Sequence, residues 1–121
     1  MTNAQNPSTL PVLNMTAALE LVDGDKELYA MLLDAFLTTP FVCATLDGYL
    51  AAQNTEEGAR YVHAVKGAAR QIGLERLAAA GQALEDVLRG KATGDTAALT
   101  DAYTAAYDEA VRAVKDAQKS L

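Results

Sequence analysis

Apolar side chains recur along most of this chain at alternating steps of three and four residues, which is the spacing of an amphipathic α-helix. The periodic segments lie at about 14–22, 25–52, 54–73, 74–90 and 95–119. No segment alternates apolar and polar residues as a half-buried β-strand does, and no internal repeat is evident. The pattern therefore predicts an all-α protein.

Residues that favour helix ends mark most of the predicted boundaries. Asp25 is a good N-cap for the second helix, Asn54 with Glu57 has the spacing of a capping box for the third, and Gly73 is suited to end that helix. Pro40 interrupts the second segment, because proline has no N–H and clashes with the preceding turn. Thr39–Pro40 also reads as an N-cap followed by the first helical position. We expect a kinked helix or two nearly collinear pieces over residues 25–52.

Each periodic segment has one predicted core face. The expected core positions are Met15, Ala18, Leu19 and Val22; Leu28, Leu32, Ala35, Thr39, Val42, Leu46 and Tyr49; Val62, Val65, Ala69 and Ile72; Leu77, Gly81, Leu84 and Leu88; and Leu99, Tyr103, Ala106, Ala110, Val114 and Ala117. Gly81 in mid-helix indicates close approach by a neighbouring helix. Long helices joined by short loops pack antiparallel. The chain is thus predicted to be an up-down four-helix bundle with a short N-terminal capping helix, formed by residues 11–121 after a flexible lead-in, residues 1–10.

Composition and charge narrow the function classes. The chain has 121 residues, 50% of them hydrophobic, and a net charge of −6. This acidic balance argues against binding to nucleic acid or to an anionic membrane, since both need a broad basic surface. The lone Cys43 is expected to be a buried apolar residue. No signal peptide or membrane helix is apparent in the sequence. We expect a cytoplasmic monomer.

His63 is the only histidine, and it lies outside the core face of its predicted helix. On a helical wheel, Lys66 and Arg70 fall within about 60° of it. Gly67 follows one turn later, where its missing side chain leaves open space beside the ring. An ordinary solvated histidine is one interpretation. The other is a nucleophilic imidazole whose neighbouring cations neutralise a phosphoryl group.

Other chemistries fit this sequence less well. A metal site requires several converging ligands, and a catalytic serine or cysteine would have to be aimed at the ring, whereas Cys43 belongs to an apolar face. Nucleotide-binding glycine loops are absent as well. If His63 carries a phosphoryl group, another protein must therefore deliver it.

The stretch from His63 to Leu74, HAVKGAARQIGL, resembles the H-x-x-K-G motif of histidine-containing phosphotransfer (HPt) domains. A looser similarity includes residues 19–29 and Leu84-Glu85. Arg70 occupies a position that is often small in relatives. The resemblance implies a four-helix bundle and a phosphocarrier without kinase activity of its own.

By the same resemblance, His63 would accept a phosphoryl group from one response-regulator receiver domain and pass it to another. Lys66 would stabilise phosphoryl charge, Gly67 would give clearance, and Gln71 would orient groups near the ring. The implied partners are receiver domains and a hybrid sensor kinase, with magnesium held by the receiver and no cofactor on this chain. Two alternatives stay open: a docking module of the same fold that transfers no phosphate, and the substrate domain of a chemotaxis-type kinase.

Overall fold

A computed structural model describes residues 10–121, and this part of the chain contains six α-helices and no strand. The helices are α1 (Met15–Leu21), α2 (Lys26–Thr38), α3 (Cys43–Ala51), α4 (Thr55–Ile72), α5 (Glu75–Leu88) and α6 (Thr96–Ser120). The predicted all-α fold is confirmed. Apart from Leu10, the predicted flexible lead-in lies outside the described residues.

The predicted helix ends are set by the residues that the sequence singles out. Asp25 and Asn54 each accept a hydrogen bond from a backbone N–H in the first turn of α2 and α4, as N-caps do. Gly73 ends α4 with a φ of 86°, in the left-handed region where a side chain is disfavoured. A Cβ at Gly73 would also collide with the backbone oxygen of Asn14. These boundaries are confirmed.

The segment around Pro40 differs from the prediction. The axes of α2 and α3 are bent by 53° across the break, so the two pieces are not nearly collinear. Thr39 is the C-cap of α2, and the N-cap of α3 is Val42. In residues 10–121 no single helix is long and apolar enough to cross a membrane, and α2 with α3 meets that test only as a bent pair.

Two tyrosines from other helices explain why the break is tolerated. The backbone N–H of Phe41 donates to the hydroxyl of Tyr107 at 3.0 Å, and that of Val42 donates to the hydroxyl of Tyr61 at 2.7 Å. Backbone donors without a helical partner are thereby satisfied by side chains from α6 and α4. The bend can therefore form without leaving these amides unpaired.

The bend also changes the core face of α2. Tyr29, Leu33 and Phe36 are the buried residues of α2, whereas the predicted core positions Leu28 and Ala35 are exposed. The predicted core face of α2 was wrong because it assumed that one helical periodicity continues through Pro40. In α4, α5 and α6 the predicted core positions are buried, except that Val65 and Leu99 are only half-buried. The buried positions are Val62, Ala69 and Ile72 in α4; Leu77, Gly81, Leu84 and Leu88 in α5; and Tyr103, Ala106, Ala110, Val114 and Ala117 in α6.

The helices pack as an antiparallel bundle in which α4 and α5 form the central pair. Lys66 of α4 contacts Gln82 of α5, and a Cβ on Gly58, two turns earlier in α4, would lie 3.7 Å from Leu88, later in α5. The two helices therefore run in opposite directions. A Cβ on Gly81 would lie 3.3 Å from the ring of Tyr103 in α6, which confirms the predicted close approach.

The capping helix α1 is attached where α4 ends. The backbone N–H of Asn14, its N-cap, donates to Gly73 at 2.8 Å, and the Asn14 side chain donates to Glu75 at 2.7 Å. Arg76 donates to the backbone oxygen of Leu10 and pairs with Glu109 of α6. The bonds of Leu10 and Asn14 place the start of α1 beside the C-terminal end of α4.

Two buried tyrosines provide a matched test of this core. The Tyr103 hydroxyl has no hydrogen-bond partner within residues 10–121, and burial raises its pKa, whereas the Tyr29 hydroxyl donates to the backbone oxygen of Ile72 at 2.8 Å. We predict that Tyr103→Phe raises the free energy of unfolding by about 1 kcal/mol, while Tyr29→Phe lowers it by about 1 kcal/mol. Urea unfolding followed by circular dichroism measures both. A loss of stability in Tyr103→Phe would show that its hydroxyl is satisfied.

Candidate functional site

His63 lies in the middle of α4 with its side chain 59% exposed, outside the buried face of the helix. One turn further on, Gly67 is exposed, and a Cβ placed there would meet no atom within 4 Å. This glycine is not required by packing within the described residues. It leaves the surface beside the imidazole open for another molecule.

Lys66 is buried, although the helical wheel placed it beside His63 on the outer face. Its side chain is 6% exposed, and its stem crosses the α4–α5 interface near Gly81. The Nζ atom donates to Glu85 Oε1 at 2.8 Å and to Gln82 Oε1 at 2.9 Å. A long aliphatic stem that ends on paired acceptors allows a lysine to be buried.

Glu85 of α5 is the group at which the site converges, and its side chain is 8% exposed. Besides Lys66, its carboxylate accepts from Arg89 Nε at 2.9 Å and faces Nδ1 of His63 at 3.1 and 3.2 Å. Burial alone would raise the pKa of this carboxyl. The hydrogen bonds from Lys66, Arg89 and His63, together with the charge of Lys66, outweigh burial and lower the pKa to about 2.

This arrangement indicates which ring nitrogen of His63 carries the hydrogen. Nδ1 faces a carboxylate that stays ionised near neutral pH, so Nδ1 carries the hydrogen and donates it to Glu85. The lone pair of the neutral ring is then on Nε2. The side chain is largely exposed, and a partner can approach it over Gly67.

The sequence pattern did not predict Glu85 as a site residue. Leu84-Glu85 contributed only to the looser similarity to HPt domains. A signal is nevertheless present. Glu85 directly follows Leu84 on the buried face of α5 and is one turn from Gly81. A carboxylate buried at this position must be paired in the folded state. An acidic residue on a predicted core face therefore indicates that cationic side chains lie close to it.

The other two predicted site residues lie on different sides of α4. The guanidinium of Arg70 is exposed and donates to Gln82 Oε1 at 3.3 Å, so it joins the same hydrogen-bonded set as Lys66. Gln71 instead lines a cavity of about 260 Å³ between α2 and α4, together with Ala64 and Ala68. Within residues 10–121, no group of three or more His, Cys, Asp or Glu side chains could hold a metal ion.

Apolar surface lies on both sides of the C-terminal half of α4. Leu21 of α1 is 71% exposed and lines a groove of about 640 Å³ that also includes Arg70. On α2, Met31 is 68% and Leu28 is 40% exposed. Large exposed apolar side chains are typical of an interaction surface.

The depressed pKa of Glu85 makes stability depend on pH. Since the folded pKa is about 2 and the ordinary value is 4.5, ionised Glu85 stabilises the fold above about pH 4.5, and this contribution is lost as the pH falls towards 2. We predict that Glu85→Gln lowers the free energy of unfolding by about 1–3 kcal/mol at pH 7. The difference from the parent protein should shrink between pH 4.5 and 2. Urea unfolding of both proteins across this range checks the prediction, and a difference that does not change with pH would contradict it.

The family assignment rests on one comparison. A family model described as the Hpt domain matches residues 27–117, which include His63 and most of the bundle. No curated protein and no solved structure gives a significant match. The match agrees with the motif around His63 and with the helical bundle, and the chain therefore belongs to the Hpt domain family.

Proposed function

We propose that this chain is a histidine phosphotransfer protein of a two-component phosphorelay, which accepts a phosphoryl group on His63 from the phosphoaspartate of one receiver domain and passes it to another. Membership of the Hpt family implies histidine phosphotransfer in phosphorelays in general, by a phosphocarrier and not a kinase. The observation that carries the proposal for this chain is the exposed His63 ring, whose Nδ1 is held by the ionised Glu85.

The geometry supports a simple transfer step. The lone pair of His63 Nε2 attacks phosphorus, the bond between phosphorus and the receiver's aspartate oxygen breaks, and the aspartate carboxylate leaves. Nδ1 keeps its hydrogen, so the phosphorylated ring becomes positively charged opposite Glu85, which stabilises it. The reverse sequence on a second receiver's aspartate returns the ring to its neutral state. Because phosphoryl transfer through a loose transition state depends on alignment and charge, so small a site is sufficient.

The remaining predicted site residues have supporting roles in this proposal. Gly67 gives the receiver's aspartate room to approach, and Arg70 supplies an exposed positive charge near the incoming phosphoryl group. Lys66 contributes positive charge beside the ring, and Gln71 orients groups of the partner that enter the α2–α4 cavity. The chain itself uses no cofactor, and magnesium is held by the receiver.

The partners in this proposal are response-regulator receiver domains and a hybrid sensor kinase that carries one. The apolar side chains Leu21, Leu28 and Met31 form the docking face, together with the grooves on either side of α4. Residues 11–121 act as one domain, a monomer in the cytoplasm. The net charge of −6 disfavours nucleic acid and anionic membranes as partners.

A docking module that transfers no phosphate is the second candidate. The apolar docking face supports it, because such a face would serve recognition alone. It gives no reason, however, for a buried carboxylate held against one ring nitrogen of an exposed histidine. Transfer therefore accounts for more of the site than docking does.

We predict that His63→Gln abolishes acceptance of phosphate. The parent protein, incubated with a phosphorylated receiver domain, should gain acid-labile phosphate, and the variant should gain none. Because the ring is exposed, the variant's free energy of unfolding should stay within about 1 kcal/mol of the parent value. A parent protein that binds the receiver but gains no phosphate would favour the docking module. Unfolding of the variant would mean that the ring is structural.

The docking face has its own prediction. Met31→Glu places a charge on the exposed apolar surface and should weaken receiver binding about tenfold without loss of stability. The matched control is Ala105→Glu, which adds the same charge at an exposed position of α6 and should leave the affinity unchanged. Titration of each variant with the receiver measures both. Equal weakening by the two variants, or receiver-induced amide shifts centred on α6, would contradict this docking face.

A further inference from the structure

An open groove of about 680 Å³ lies on the α5 side of the His63 ring. His63 and Glu56 line it from α4, and Glu85, Arg89 and Lys91 line it from the C-terminal part of α5 and the residues that follow. A phosphoryl group is much smaller than this groove. The groove therefore has room for a phosphoryl group bound to the ring, and its charges decide how well that anion is held.

Most charged side chains of this groove are already paired. Glu56 pairs with Arg60 at 2.9 Å, and Glu85 accepts from Arg89 Nε at 2.9 Å. Because these charges compensate one another, they offer little net positive charge to a further anion. Lys91 differs, since it is exposed and pairs with no carboxylate within residues 10–121. It is thus the uncompensated cation among the residues that line this groove.

The turn that ends α5 fixes the backbone of Lys91. Gly90 has a φ of 77°, in the left-handed region that favours glycine, and its N–H donates to the backbone oxygen of Val87 at 3.1 Å. The N–H of Lys91 donates to the backbone oxygen of Asp86 at 2.8 Å. This pair of hydrogen bonds is the Schellman motif of helix ends. The Lys91 side chain therefore starts from a fixed point beside the groove, and its flexible stem allows the ammonium to follow an anion inside it.

Arg70, the other exposed cation near the site, lies in different surroundings. It lines the groove of about 640 Å³ beside α1, whose lining does not include His63, and its guanidinium donates to Gln82. Lys91 shares its groove with the ring. A phosphoryl group that projects into that groove is therefore closer to the surroundings of Lys91 than to those of Arg70.

We propose that Lys91 is a catalytic residue of phosphotransfer, whose ammonium binds the oxygens of the phosphoryl group on His63 from within this groove. This proposal rests on the proposed phosphotransfer function and deepens it. Lys91 neutralises part of the phosphoryl charge during transfer and in the phosphorylated protein. The ion pairs around Glu85 stay intact throughout, because the new anion meets a cation that has no other partner in the groove.

Phosphoramidate tests this contact without a receiver. In its reaction with the parent protein, His63 Nε2 bonds to phosphorus, the bond between phosphorus and the nitrogen of phosphoramidate breaks, and ammonia leaves. Phosphorus-31 NMR then follows the titration of the phosphoryl group. In Lys91→Met the midpoint should move upward by about 0.5 pH, because a nearby ammonium favours the doubly charged phosphoryl group. An unchanged midpoint would overturn the proposal.

The matched control is Lys115→Met. Lys115 is an exposed cation of α6 in a groove whose lining does not include His63, so its removal changes the net charge equally. The phosphoryl midpoint of this variant should equal that of the parent protein. An equal upward shift in Lys115→Met and Lys91→Met would show an effect of net charge alone and would overturn the proposal.

Transfer from a phosphorylated receiver gives the second readout. Lys91→Met should slow it about tenfold, whereas Lys91→Arg, which keeps the charge, should stay within about twofold of the parent rate. A lysine after a helix end also interacts favourably with the helix dipole, so urea unfolding checks that Lys91→Met is as stable as the parent protein. Slower transfer with lower stability and an unchanged phosphoryl midpoint would assign Lys91 to the helix end and overturn the proposal. A shifted midpoint in a protein that accepts nothing from receivers would reject only the proposed function.

Discussion

A single buried carboxylate links the packing of this bundle to the chemistry of its site. Glu85 of α5 accepts from Lys66 and His63 of α4 and from Arg89, the C-cap of α5. Such a group is tolerable in the interior only while its cations are in place, because an uncompensated buried charge is strongly destabilising. The relative position of α4 and α5 is therefore constrained by the same contacts that orient the imidazole, and displacement of either helix would disturb both.

Much of this bundle is readable from the sequence because its boundaries are set locally. Asp25, Asn54 and Gly73 act on backbone groups within a turn of themselves, so their effect does not depend on the rest of the fold. The faces of α5 and α6 are likewise predictable, since each helix is uninterrupted and carries one apolar face. Gly81 likewise predicts the close contact between α5 and α6, because glycine in a helix interior is otherwise unfavourable.

The parts that could not be predicted depend on contacts between distant segments. The bend at Pro40 is stabilised by Tyr61 and Tyr107, whose hydroxyls meet the freed amides only after the bundle has formed. Once α2 and α3 are separate helices, the apolar phase of one no longer constrains the other. Tyr29, Leu33 and Phe36 therefore form the core face of α2, although Leu28 is also hydrophobic.

The candidate site shows the same limit at the level of side chains. A helical wheel gives the direction in which the Lys66 side chain leaves α4, but the position of its ammonium depends on which acceptors α5 presents. His63, whose ring remains at the surface, was therefore placed correctly, whereas the charge of Lys66 was not.

The helix α4 has two chemically different flanks. Toward α5 its side chains are held by ion pairs that orient the ring. Toward α2, small residues such as Ala64 and Ala68 line an open cavity. In the proposed function, orientation of the His63 ring needs fixed partners, whereas recognition of a receiver domain needs accessible apolar surface, and α4 presents these two features on different flanks.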